Sequence, residues 1–339
     1  MATAVVILAL LALSHAGCFG DDTAQPYYGR SVPPRSQEFR WSNGGLPQIF
    51  DPAFAAAPPD TDLIRAIFEG LTEYDPRTLQ PVPAVAMRWE SSKDGKVWTF
   101  YLREDARWSN GEPVTAHDFV QSWERTVKLG DLAPHTDLLR NIEGATPPSI
   151  PPVQPFNPGD RPGATVDDPP RNSPIGKAQR LGAEAVDEHV LRVRLERPDL
   201  NFPALVAHPV FRPVKVNAES LGRIGPSNLV SNGAFLLARR EADRVLLARA
   251  ENYWGKKDVS LERVAFVDAK NAENALAAYR DGEVDAVTNA AFEPLAIKLL
   301  APYQDFRRAT YGALTYYSFN TEHAPFDDVR VREALAISI

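Results

Sequence analysis

From Val97 to Leu102 the chain alternates, with Trp98, Phe100 and Leu102 on one face and Val97, Thr99 and Tyr101 on the other. That is the period-2 pattern of a half-buried strand. Asp94-Gly95 supplies a turn before it and Met87–Glu90 a partner strand, so the segment reads as a hairpin. Ser109-Asn110-Gly111 marks a second turn. Thr115, with Asp118 three residues on, makes a capping-box-like pair at a helix start. Phe119, Trp123 and Val127 follow at helical spacing, with Val120 beside them, and give this helix one buried stripe.

The same patterns recur along the chain. A short strand is expected over Phe39–Gly45. A helix is expected over Thr61–Thr72, where Leu63, Ile64, Ile67, Phe68 and Leu71 form a continuous apolar face. Glu69 then falls at a helix end, as a solvated or capping carboxylate with no partner acid for catalysis. Gly182–Pro198 alternates around an Asp187-Glu188 turn, a strand pair. Phe202–Val206 reads as a helix and His208–Val214 as a strand limited by its prolines. Strands follow at Arg244–Arg249 and Val264–Asp268, then a helix over Ala272–Arg280 and another beginning near Asp328. Pro147–Pro174 holds ten of the thirty prolines and is expected to be an exposed extended loop.

Composition narrows the function classes. A chain of 339 residues suggests two or three domains. The net charge of −7 and the absence of any Lys/Arg run argue against nucleic-acid binding. The single cysteine, Cys18, excludes an intramolecular disulfide and a Cys-based metal cage. It follows an apolar run, Ala4–Leu13, and the sequence Ser14-His15-Ala16-Gly17. This is the layout of an export signal (1–17), ending either in a lipidated Cys18 or as a plain secretory signal. Asp21–Arg40 is polar and aperiodic, a tether. No GxSxG, HExxH, Walker-type or GxGxxG motif occurs, and His117, His135, His189, His208 and His323 lack metal-ligand spacing. No enzyme, cofactor or metal is therefore expected.

The run DGKVWTFYLREDARWSNGEPVTAHDFVQSW (94–123) closely resembles the signature of oligopeptide-binding proteins of bacterial ABC importers. IFEGLTEYD (67–75), NLVSNGAFLL (228–237), ENYW (251–254), DGEVD (281–285) and APFDDVRVREAL (324–335) are similar to further stretches of that family. The resemblance implies an α/β, two-lobed periplasmic-binding-protein-like fold of the large peptide-binding class, with an inserted subdomain. The implied division is 39–51 and 177–230 for the first lobe, 52–176 for the insert, and 231–339 for a second lobe that is incomplete, since relatives continue further.

It also implies an extracytoplasmic, lipid-anchored, monomeric protein that binds oligopeptides and delivers them to a membrane permease. Phe54, Ala55, Ala56, Ala57 and Pro58, after the Asp51-Pro52 pair, would run beside the ligand through backbone and apolar surface; a loop with buried alanines is the alternative. His135 lies where the family often has a ligand-contacting aromatic, and is otherwise an exposed loop histidine. Asn232 and Gly233 form a turn bordering the cleft. Asn232 is either a ligand or hinge contact or an Asx-type turn stabiliser, and Gly233 is expected at positive φ. Other ligands (a dipeptide, murein peptide or nickel chelate) and a non-transport remnant or surface lipoprotein stay open.

Overall fold

The computed structural model describes residues 26–30, 36–145, 180–216, 221–309 and 317–338. The expected export signal, Cys18, most of the tether and the Pro147–Pro174 loop lie outside the described residues. Contacts divide the chain into two units, Gly29–Ile297 and a second composed of Met1–Tyr28 with Lys298–Ile339.

Two main sheets organise the larger unit. The first carries β4 (Ala86–Ser91), β5 (Val97–Leu102), β6 (Ala183–Asp187) and β7 (Val190–Arg194) in the order β4-β5-β7-β6, each pair antiparallel. The alternation in β5 emerges as expected: Trp98, Phe100 and Leu102 are buried and their neighbours half-buried. Against this sheet packs α2 (Ala116–Leu129), whose first turn is closed by the Thr115–Asp118 box. The Asp118 carboxylate accepts from the Thr115 backbone N–H at 2.8 Å and from Trp108 Nε1 at 3.1 Å. Trp123, fully buried, donates from Nε1 to the Phe211 carbonyl at 2.8 Å, which satisfies the one polar atom its burial would strand.

The second sheet has the order β11-β1-β10-β9-β8, built from β1 (Glu38–Asn43), β8 (Phe235–Arg240), β9 (Arg244–Arg249), β10 (Arg263–Val267) and β11 (Ala286–Thr288). β1 runs parallel to both β10 and β11, with Trp41 opposite Phe266 and Ala286. Their rings stack, Trp41 on Phe266, at 5.5 Å. Arg40 fixes the register by gripping Asp285, its Nη2 2.7 Å from Oδ1. The helix α4 (Ala272–Arg280) starts at an Asn271 cap whose side chain accepts from Asn274 N–H. Along the chain, α1 (Asp60–Ile67), the small pair β2 (Thr72–Tyr74) and β3 (Pro81–Pro83), and α3 (Phe202–Leu205) fall in the segments that connect strands of one sheet to strands of the other.

Several expectations are corrected. Strands from 86–102 and from 183–194 share one sheet, so the boundary placed at 176/177 divides a hydrogen-bonded unit. β1 shares a sheet with strands from 235–288, so the expected grouping of 39–51 with 177–230, apart from 231–339, divides a second hydrogen-bonded unit. α1 stops at Ile67 rather than reaching Thr72, because Phe68 turns extended at φ −123° and ψ 150°. His208–Val214 is not a strand: Pro209–Phe211 is a 3-10 turn, closed by His208 Nδ1, which accepts from Val210 N–H at 3.2 Å.

In the smaller unit, Tyr28 meets Tyr303 edge-on at 5.2 Å, and its N–H donates to Asp305 Oδ1 at 2.9 Å. The expected helix near Asp328 is present at Val329–Ser338 and buries none of its residues; Val329, Leu335 and Ile337 are exposed. Among the described residues no helix is long and apolar enough to cross a membrane.

Candidate functional site

The segment after Asp51-Pro52 is shaped by a buried ion pair. Asp51 and Arg125 of α2 are each about 1% exposed, with Asp51 Oδ2 2.6 Å from Arg125 Nη2. Each partner ties down a further segment: Asp51 accepts from the N–H groups of Ala53 (3.1 Å) and Ile224 (3.1 Å), and Arg125 donates to the Gly222 carbonyl at 2.9 Å. One charge pair thus joins the 51–53 turn, α2 and the 222–224 loop. Phe54 packs with Ala53, Leu129 and Ala133. The Arg223 guanidinium lies over its ring at 4.6 Å, a cation–π contact.

Beyond Phe54 the chain surfaces: Ala56, Ala57 and Pro58 are exposed. His135 reaches them, its Nε2 2.9 Å from the Ala56 carbonyl. A carbonyl only accepts, so that ring nitrogen carries the proton. His208 stands edge-on to His135 at 4.8 Å between ring centroids. Burial, assisted by the neighbouring His135 and Arg212, lowers the His208 pKa to about 4. Its Nδ1 accepts from an amide N–H, which puts its proton on Nε2. Neither nitrogen is then an open lone pair for a metal. Among the described residues no cluster of three or more His, Cys, Asp or Glu is arranged to hold one.

The structure therefore brings Ala56, Ala57, Pro58 and His135 to one surface, while the side chains of Phe54 and Ala55 are buried. Asn232 and Gly233 sit elsewhere, at the other end of α1, a helix of eight residues and so about 12 Å long. Asn232 is buried and clasps the Glu69 backbone, its Oδ1 accepting from Glu69 N–H and its Nδ2 donating to Glu69 O, each at 3.0 Å. It is neither a local Asx turn nor an exposed contact. Gly233 is not at positive φ. A Cβ there would lie 2.5 Å from the Ile67 carbonyl carbon and 2.7 Å from Phe68 N, so glycine is required by close backbone approach, and that approach ends α1.

Glu69 is the other correction. It is buried, accepting from the Tyr253 hydroxyl at 2.6 Å and from Trp254 Nε1 at 2.7 Å. Burial raises its pKa to about 7 against the pull of those two donors. Arg212, fully buried, donates to Phe68 O and Glu73 nearby, and burial lowers its pKa. This cluster locks α1, the 231–233 turn and the 253–254 segment together. Arg223, His208 and the Tyr253–Trp254 pair carried no signal of their role in the sequence, since each acts through partners far along the chain.

The model for bacterial extracellular solute-binding proteins, family 5 Middle, matches residues 80–339. The chain belongs to that family. This family 5 protein is 34% identical over 303 residues to the periplasmic oligopeptide-binding protein OppA of Salmonella typhimurium, covering 88% of this chain and 52% of that protein. It is 35% identical over 303 residues to the periplasmic murein peptide-binding protein MppA of Escherichia coli, covering 86% and 51%. Among solved structures, OppA of Burkholderia pseudomallei matches with a TM-score of 0.71 at 28% identity, over 90% of this chain and 56% of that one. The α/β, periplasmic-binding-protein-like class expected from the sequence is thus the fold these proteins share. The family 5 chain spans about half the length of the curated relatives it matches.

Proposed function

We propose that this family 5 protein captures oligopeptides outside the cytoplasm and presents them unchanged to the permease of an ABC importer, as a monomer held at the membrane through Cys18. Its relatives bind oligopeptides and murein peptide, and the observation that carries the reading to this chain is the exposed backbone strip Ala56–Pro58 backed by His135. A strip without functional side chains recognises a ligand through main-chain groups, which gives affinity tolerant of ligand sequence. Asn232 and Gly233 contribute by holding the end of α1 in place and not by touching ligand. Murein peptide is the second reading, favoured by the 35% identity to MppA.

Calorimetric titration of the purified protein with di- to hexapeptides and with a murein tripeptide tests this. One-to-one binding of simple tri- to pentapeptides supports oligopeptide capture. Binding of the murein peptide alone moves the assignment to the second reading, and no binding to any of them sinks both.

A further inference from the structure

We infer that the notch between the Ser109–Gly111 turn, the 231–233 turn and the free edge of β8 is a second binding site, one that takes a small neutral molecule bearing a carboxamide. The notch is a cavity of about 160 Å³ lined by Ser109, Pro226, Leu229, Ser231, Leu236 and Leu237, room for a molecule of a few heavy atoms. It adjoins the 231–233 turn, at the end of α1 away from Ala56–Pro58, and so stands apart from the proposed peptide strip.

Main-chain bonds hold its walls. Ser109 N–H donates to the Ser231 carbonyl at 2.7 Å, and Ser231 N–H donates to Ser109 Oγ at 3.2 Å. The Ser231 hydroxyl is left over: the residue is 2% exposed, yet its Oγ has no hydrogen-bond partner among the described residues. A buried hydroxyl without a partner costs stability, and at a cavity wall an occupant can restore it. β8 adds a donor and an acceptor. It ends its sheet, with β9 as its one neighbour. Ala250 N–H donates to the Ala234 carbonyl at 2.8 Å, and the register runs on through Leu236↔Ala248 and Leu237↔Leu247. Bonded and non-bonded pairs alternate along an antiparallel ladder. Leu236 therefore turns its main-chain groups to β9, and Leu237 turns its N–H and carbonyl to the open edge.

These groups select the ligand. None of the six lining residues is charged, so an ion would shed water and gain no countercharge. A carboxamide is neutral and carries an acceptor and a donor side by side. Its oxygen has two lone pairs, one for the Leu237 N–H and one for the Ser231 hydroxyl, while its NH₂ donates to the Leu237 carbonyl. A short alkyl group then meets Pro226, Leu229 and Leu236.

The experiment is NMR of the intact chain labelled at its leucine methyls, titrated with isobutyramide, isobutyrate and isobutylammonium. Isobutyramide is expected to shift the methyls of Leu229, Leu236 and Leu237 saturably at millimolar concentration, leaving those of the buried Leu63 and Leu191 in place. Neither ion should produce a saturable shift. Ser231→Ala removes no side-chain bond that the fold uses, so the variant stays folded, and loss of one hydrogen bond to the ligand should weaken binding about three- to tenfold. Shifts that rise without saturating, equal shifts with isobutyrate, or an unchanged affinity in Ser231→Ala overturn the inference.

Discussion

Gly233→Ala tests the joint between the 231–233 turn and α1. The added methyl would stand 2.5 Å from Ile67 C, 2.7 Å from Phe68 N and 2.8 Å from Ala66 O. All three are backbone atoms, so no side-chain rotation relieves the overlap, and the turn must retreat from α1 by roughly 1 Å to reach ordinary van der Waals contact. Retreat by that amount loosens the Gly233 N–H bond to Ile67 O, now 2.8 Å, and the two 3.0 Å bonds between Asn232 and the Glu69 backbone. Overpacking of this kind costs about 1–3 kcal/mol, and a buried polar group left without its partner about 1–3 more. The expected loss is about 2–6 kcal/mol. Gly111→Ala is the control: Gly111 sits at φ +90° with nothing within 4 Å, so only backbone strain applies, about 1–2 kcal/mol. Urea unfolding followed by far-ultraviolet circular dichroism reads both. A Gly233→Ala midpoint within error of the parent, or one less affected than Gly111→Ala, would refute the close-approach argument.

Glu69 and His208 give opposite pH dependences. The Glu69 pKa is raised from 4.5 to about 7 in the fold, so the folded state holds the extra proton and stability falls as pH rises from about 4.5 to 7, by at most about 3 kcal/mol. Glu69→Gln should remove that fall, and a pH–stability curve superimposable on the parent's would contradict it. The His208 pKa is lowered from 6.5 to about 4, so its contribution is lost as pH falls between those values; His208→Gln should therefore make acidification from pH 7 to 5 more stabilising, as read by thermal melts. Asp51→Ala removes the carboxylate from beside the buried Arg125 guanidinium and should cost about 3–5 kcal/mol in urea, whereas Asp51→Leu combined with Arg125→Met should recover most of it. Equal losses in the single and double variants would count against the charge argument.

Local pattern carried the hairpin and α2. The alternation from Val97 to Leu102 and the Thr115–Asp118 pair are set by neighbours a few residues apart, and the structure reproduces both. What the sequence could not show is set from afar. Glu69 reads as a helix-end carboxylate because the groups that bury it, Tyr253 and Trp254, lie 184 and 185 residues away. α1 is cut short by Asn232 and Gly233, with Asn232 163 residues from its Glu69 partner. The parallel pairing of β1 with β10 and β11 leaves no local trace, so the lobe boundaries drawn along the chain fell inside sheets. At the candidate site, the resemblance named His135 and the Ala56–Pro58 strip but did not show that they touch. The exposure of Ala56, the burial of Phe54 and the place of Arg223 required the fold.

The central claim is that this protein holds one peptide per chain. Native mass spectrometry of the purified protein, mixed with equimolar di- to hexapeptides at tenfold excess, tests it most directly. The account predicts a single adduct whose mass corresponds to one peptide. A spectrum showing only the unliganded chain, from protein with a native circular-dichroism signal, would contradict it.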